Sequence, residues 1–364
     1  MSERIDSSRP SVVLGTAQYE RTLSRLAGEN TLIVTSPSIS NNKKFESIKN
    51  SVFKSEVLII NSVRPNPTFE SVDILCDQVR LFGPKNIIAV GGGSVIDFSK
   101  TISAMVSNPG IRRTVELLKL VDYQPKSVKL IAVPTTAGTG SEVTPFATLW
   151  DKNGLGKSSI ESEEIMPDIA VLDHEWISSA PHDQLLYSGL DAISHCIETL
   201  WNKHRSSVSE TYAVEGLRFI LSSFPNLLDG RSTDDDCRSM QIGAMFGGRA
   251  ISENHTALAH AISYPLTAHF GVPHGLACSF TIPAIFRHFE KNLDLDSNAY
   301  SVICEIVELL DKLRLNTRVL GFVNSVEIQQ MMSLVADQNR SKNFAFSVDK
   351  DLIKNLVIES LVNK

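Results

Sequence analysis

The chain has 364 residues, 42% of them hydrophobic and 21% charged, with a formal net charge of −6 and a pI near 5.9. That length accommodates two domains of ordinary size, and a mildly acidic chain without any Lys/Arg block argues against a nucleic-acid partner. No apolar run approaches the ~18 residues that span a bilayer, the polar start MSERIDSSRP lacks the apolar core of a signal peptide, and five scattered cysteines without a CxxC pair speak against a disulfide framework or thiolate zinc site, so a cytoplasmic protein is expected.

In chain order, short β-branched runs come first: TLIVT (31–35), EVLII (56–60), NIIAV (86–90), KLIAV (129–133) and IAVLD (169–173). Each reads as a buried strand of a parallel sheet. Between them lie helical patterns such as FESVDILCDQVRLFG (69–83), which stops on glycine. The pattern predicts a doubly wound, Rossmann-like α/β domain over residues 1–178. Beyond SSAPHD (178–183) the strands give way to helical stretches, of which SGLDAISHCIETLW and AYSVICEIVELLDKLR are examples. An all-α domain is expected over 179–364.

Two loops follow predicted strands. NIIAVGGGSVIDFSK carries Gly92, Gly93, Ser94 and, on the helix behind them, Asp97. Glycines let the backbone approach a ligand closely, and the helix start offers free N–H groups to a diphosphate. A tight turn with no ligand would read the same. KLIAVPTTAGTGSEVT adds Thr135, Thr136 and Thr144 after the next strand. Two such loops on one sheet fit a nucleotide better than one does. The first strand ends at Ser36, where an acid commonly holds the adenosine 2′-hydroxyl, and Lys43 and Lys44 follow. A missing carboxylate leaves room for a 2′-phosphate, so both NADH and NADPH are candidates.

In the second half, Asp191 and His195 stand four apart in a helical pattern and leave one face. Such a pair is also common on ordinary helix surfaces. His260 opens a further apolar helix, and His274 sits in the loop-like GVPHG. One Asp and three His with an open position would suit Fe(II) or Zn(II), although spacing alone does not establish convergence. His269 reads as structural or exposed.

These residues resemble the iron-containing, group III alcohol dehydrogenases. The resemblance runs from about residue 10 to beyond 285, through PNPT (65–68), GGGSVID (91–97), PTTAGTGSEVT (134–144), MPDIAVLD (166–173), DAISHCIE (191–198), HAISYPL and PHG (273–275). It implies a dehydroquinate synthase-like architecture, a homodimer, and Asp191, His195, His260 and His274 as metal ligands. It also implies a cofactor site lined by Gly92, Gly93, Ser94, Asp97, Thr135, Thr136 and Thr144, with Lys157 near the nicotinamide ribose. Tyr264 stands where many members carry a second histidine used for proton relay or substrate contact. A tyrosine is a poor base at neutral pH, so solvent or a ribose hydroxyl is expected to pass the proton. Arg249, Asn254 and His255 are polar where simple-alcohol members are apolar, which points to a polar or anionic aldehyde, although a surface or salt-bridged Arg249 would read the same. With Tyr264, that block resembles the phosphonoacetaldehyde reductase branch, implying reduction of phosphonoacetaldehyde to 2-hydroxyethylphosphonate. Dehydrogenation of another small or sugar-derived alcohol, or a non-redox dehydroquinate synthase-like reaction, is the alternative.

Overall fold

A computed structural model of the chain describes residues 10–15, 21–25, 29–51, 56–151, 156–331 and 339–362. The chain divides into two compact units. One comprises 1–136 and 141–179; the other comprises 137–140 and 180–364.

The first unit is built on a parallel sheet of β1 (Ser11–Leu14), β2 (Thr31–Thr35), β3 (Val57–Ile60), β4 (Asn86–Gly91), β5 (Lys129–Pro134) and β8 (Ile169–Leu172). Its spatial order is β1-β8-β5-β4-β2-β3. All five predicted strands are present, and β2 and β4 are buried at every residue. The reason is two-sided cover. Leu32, Val34, Ile87, Ala89, Leu130 and Ala132 face one apolar layer, with α3 (Phe69–Phe82) and α4 (Gly93–Ser107). The alternate residues Ile33, Ile88, Val90, Ile131 and Val133 face the other, with Phe45 and Ile48 of α2 (Lys43–Ser51). Helix α3 ends where predicted, on Gly83 in the left-handed conformation.

Three strands escaped the sequence reading. The edge strand β1 is only four residues long and mostly half-buried. β6 (Phe146–Trp150) and β7 (Lys157–Glu161) form a separate antiparallel pair whose polar residues, such as Thr148 and Ser159, mask the apolar alternation.

Within the described residues the second unit is helical: α6 (His182–Leu200), α7 (Ser207–Leu228), α8 (Asp234–Asn254), α9 (Leu258–Phe270), α10 (His274–Ser279), α11 (Ile282–Phe289) and α12 (Ser297–Lys312), with shorter helices and Lys350–Leu361 beyond. The short α1 (Pro37–Ser40) and α5 (Glu175–Ser178) belong to the first unit. No described helix is long and apolar enough to cross a membrane. None of the five cysteines is in a disulfide.

Candidate metal and cofactor sites

The nucleotide side follows from strand order. From β2 the chain moves outward to β3, then returns to β4 and continues the opposite way through β5 and β8. The order therefore reverses between β2 and β4, and ligands of open α/β sheets bind outside the carboxyl ends at such a point. Ser36 follows β2, and Gly92–Ser94 follows β4. Gly92 is the N-cap of α4 and Gly93 its first residue, so unpaired N–H groups stand at this end. The second loop lies alongside: the Thr135 N–H donates to the Gly91 carbonyl at 3.1 Å. A Cβ on Gly92 would lie 3.2 Å from Thr136 Oγ1.

Several predicted cofactor residues are engaged by the protein itself. Ser36 Oγ caps α1 by accepting from Ile39 N at 3.4 Å. Ser94 Oγ accepts from Asn66 N at 3.3 Å, tying the PNPT loop to the glycine turn. Asp97 accepts from Ser141 Oγ at 2.5 Å and from Thr148 N at 3.0 Å. It therefore braces the second loop and the β6–β7 pair. The Lys157 ammonium stands 5.9 Å from the Trp150 ring centroid. Lys44 is held by Asp173 and Glu175, each at 2.6 Å. Sequence reasoning passed over Lys100, which is completely buried. Its ammonium donates to Thr144 Oγ1 at 3.0 Å and to the Phe146 carbonyl at 2.8 Å. Burial drives its pKa down to about 8, against the pull of Asp97 and Glu142.

Gly138 and Gly140 of the second loop answer to packing. A Cβ on Gly138 would meet Ser188 of α6 at 2.8 Å, and one on Gly140 would meet Gly248 of α8 at 2.3 Å.

The metal side is built on one face of α6. Asp191, His195 and Glu198 occur at helical spacings of four and three, which align them. Asp191 Oδ1 lies 3.5 Å from His195 Nε2, 3.6 Å from His260 Nε2 and 3.8 Å from His274 Nε2. Two donors each ~2.1 Å from a tetrahedral ion stand roughly 3.4 Å apart. Asp191 Oδ1 and His260 Nε2 are buried without a hydrogen-bond partner. Such atoms are costly to bury unless something else satisfies them, and a cation among them does so. Burial opposes ionisation of Asp191, but His195, His274 and His260 outweigh it and hold the carboxyl below the usual range. Burial takes His195 down to about 4, leaving a neutral imidazole with a lone pair to donate.

The rings are fixed by their neighbours. His195 stacks on His260 at 5.0 Å between centroids, and Tyr264 stacks on His274 at 6.1 Å with the planes 8° apart. His274 is the open member, its side chain 33% exposed, whereas those of Asp191, His195 and His260 are 7%, 6% and 3% exposed. Contrary to the sequence expectation, His274 is in no loop: it begins α10 behind Pro273, whose fixed φ suits a helix start. The glycine after it is obligatory, because a Cβ on Gly275 would stand 1.8 Å from the Tyr187 carbonyl oxygen of α6.

Two neighbours went unnoticed in the sequence. Cys278, one turn after His274, places its thiol among the ligand atoms of Asp191, His260 and His274. Burial pushes that thiol up, and Sγ is 3.7 Å from both ring nitrogens of His274, which sets it beside that ring. Glu198 is fully buried and its Oε2 is 2.5 Å from His260 Nδ1. Of the polar residues before α9, Asn254 is buried, with its side-chain amide between Thr199 of α6 and Ser209 of α7. His255 adopts φ 62°, ψ 176°, a conformation otherwise nearly confined to glycine. Arg249 is buried on α8, and His269 is exposed in the last turn of α9.

Family models decide the broader kinship. The iron-containing alcohol dehydrogenase model matches residues 10–174, and the C-terminal model of the Fe-containing alcohol dehydrogenase family matches 185–354. The chain belongs to the iron-containing alcohol dehydrogenase family. Among curated members it is 32% identical over 232 residues to phosphonoacetaldehyde reductase from Streptomyces viridochromogenes, a stretch covering 62% of this chain and 59% of that protein. Among solved structures of the same fold, an iron-containing alcohol dehydrogenase from Thermotoga maritima superposes with a TM-score of 0.84 at 24% identity, covering 99% of each chain. Sulfoacetaldehyde reductase from Bifidobacterium kashiwanohense, solved with NAD+, gives 0.85 at 20% identity, again over 99% of each. As in that family, an N-terminal Rossmann-like unit accompanies a helical unit bearing the Asp/His/Cys cluster.

Proposed function

We propose that this chain is a metal-dependent, NAD(P)-linked aldehyde reductase of the iron-containing alcohol dehydrogenase family. Its substrate is a small polar or anionic aldehyde, with phosphonoacetaldehyde the first candidate and 2-hydroxyethylphosphonate its product. The observation that carries the reading is the convergence of three imidazole Nε2 atoms on the unpartnered Oδ1 of Asp191. The substrate class rests on the likeness to the Streptomyces reductase and on Arg249.

In this reading Asp191, His195, His260 and His274 hold Fe(II) or Zn(II). When bound, the ion supplies a Lewis acid that draws electron density from a carbonyl oxygen. Gly92, Gly93, Thr135 and Thr136 would seat the diphosphate of NAD(P)H, whose dihydronicotinamide ring would supply the hydride. His274 and Tyr264 border the exposed side of the cluster, where substrate and a solvent proton enter. The ribose hydroxyl is the other proton source. The chain acts as a homodimer in the cytoplasm.

The deciding experiment supplies Fe(II) and Zn(II) separately to purified protein and follows NAD(P)H absorbance across an aldehyde panel. Consumption with phosphonoacetaldehyde is expected; none with any aldehyde would favour the non-redox alternative. In the same assay Arg249→Ala should raise KM for phosphonoacetaldehyde about tenfold or more, the scale of a charge-assisted hydrogen bond. A neutral aldehyde should change little, and an equal rise for it would remove Arg249 as an anion contact.

Either NADH or NADPH fits this reading, and Ser36, which brings no carboxylate against a 2′-phosphate, is where the choice is tested. Ser36→Asp preserves the cap on α1, since Asp caps as well as Ser, and adds a charge that repels a 2′-phosphate. The ratio of kcat/KM for NADPH over NADH should fall roughly tenfold, about 1.4 kcal/mol. An unaltered ratio would place Ser36 away from the 2′ position.

A further inference from the structure

We infer that Glu198 is a positioning residue that sets the tautomer of His260 while closing the N-terminus of α9, so that metal affinity depends on a carboxylate that never touches the ion. The inference rests on the metal site proposed above. Helix α9 begins after Ala257, which offers no side-chain cap. The N–H groups of its first turn would go unsatisfied. Glu198, reaching across from α6, supplies what a local Ser or Asp usually does: Oε1 accepts from Ala259 N at 2.5 Å and from His260 N at 3.2 Å. These are the second and third helical positions, the ones an N-cap side chain serves.

The other oxygen does different work. Oε2 lies 2.5 Å from His260 Nδ1. A carboxylate only accepts, so Nδ1 carries the proton. A neutral imidazole then has its lone pair on Nε2, the atom facing Asp191 Oδ1 at 3.6 Å. Three donors on one fully buried carboxylate also explain how it is retained in the core. One residue thereby locks both the position and the protonation of a ligand.

The test uses the full-length protein and Zn2+ in competition with a chromogenic chelator, alongside thermal melts of the metal-free form. In Glu198→Gln the amide oxygen still accepts from Ala259 and His260 N–H, so the melt should stay near wild type. The amide nitrogen now faces Nδ1 and demands an acceptor there, moving the proton to Nε2. Zn2+ affinity should fall ten- to a hundredfold. Glu198→Asp, a shorter carboxylate, should fall between the two. Wild-type affinity in both variants overturns the inference, as does an affinity loss that only follows loss of metal-free stability. Wild-type protein that takes up no Zn2+ would instead overturn the metal site itself, and this inference with it.

Discussion

Replacing His260 with alanine is expected to remove the bound ion and to lower kcat/KM by about a thousandfold or more, because Lewis-acid stabilisation is worth several kcal/mol. The same substitution strips Glu198 Oε2 of its imidazole partner in a fully buried setting, which should cost the metal-free protein a further ~1–3 kcal/mol. His274→Ala should lose the ion and the activity just as completely but cost less stability, since that side chain is one-third exposed. Elemental analysis, a rate assay and a melt on each variant separate the two effects. Metal-free His260→Ala protein with full activity would sink the proposed site.

Gly275→Ala should be nearly as damaging, although it changes no ligand. The new methyl would stand 1.8 Å from the Tyr187 oxygen and 2.9 Å from Asp191 N. Both are backbone atoms of α6, so no side chain can swing aside. Helix α10 must withdraw from α6, carrying His274 away from Asp191. A loss on the order of 3 kcal/mol is expected from the overpacking, together with weaker metal binding. Gly110→Ala is the control, since its Cβ would meet nothing within 4 Å; it should leave both the melt and the metal titration unchanged. Wild-type metal affinity in Gly275→Ala would mean the helices separate without disturbing His274.

Much of this was readable from the chain because the relevant signals are local. Parallel strands buried on both faces give uninterrupted apolar runs, so β2, β4 and β5 stood out. Asp191 and His195 share a helix face by spacing alone. What escaped depends on partners far along the chain. Glu198 looks like any solvated helix acid until α9 is placed against it, sixty residues on. Lys100 looks like a surface lysine until Thr144 and Phe146 close over it. Cys278 is one unpatterned cysteine until α10 turns it toward the ligands. His274 was misplaced for the opposite reason: flanking Pro273 and Gly275 signal a turn locally, yet one starts a helix and the other lets it dock. The place of the Asn254 amide, between Thr199 and Ser209 of two other helices, is likewise not legible from its neighbours in the chain.

The grouping of Ala137–Gly140 with the helical unit has a practical consequence. The chain enters that unit twice, first for four residues and finally after Ser179. A gene split at the obvious boundary would therefore yield an N-terminal fragment whose Gly138 and Gly140 have lost the backbone they were shaped to meet, and a C-terminal fragment with a groove left bare beside Ser188 and Gly248. Chimeras that exchange only residues 180–364 between relatives would inherit the same mismatch. A functional graft has to carry the tetrapeptide along with the helices.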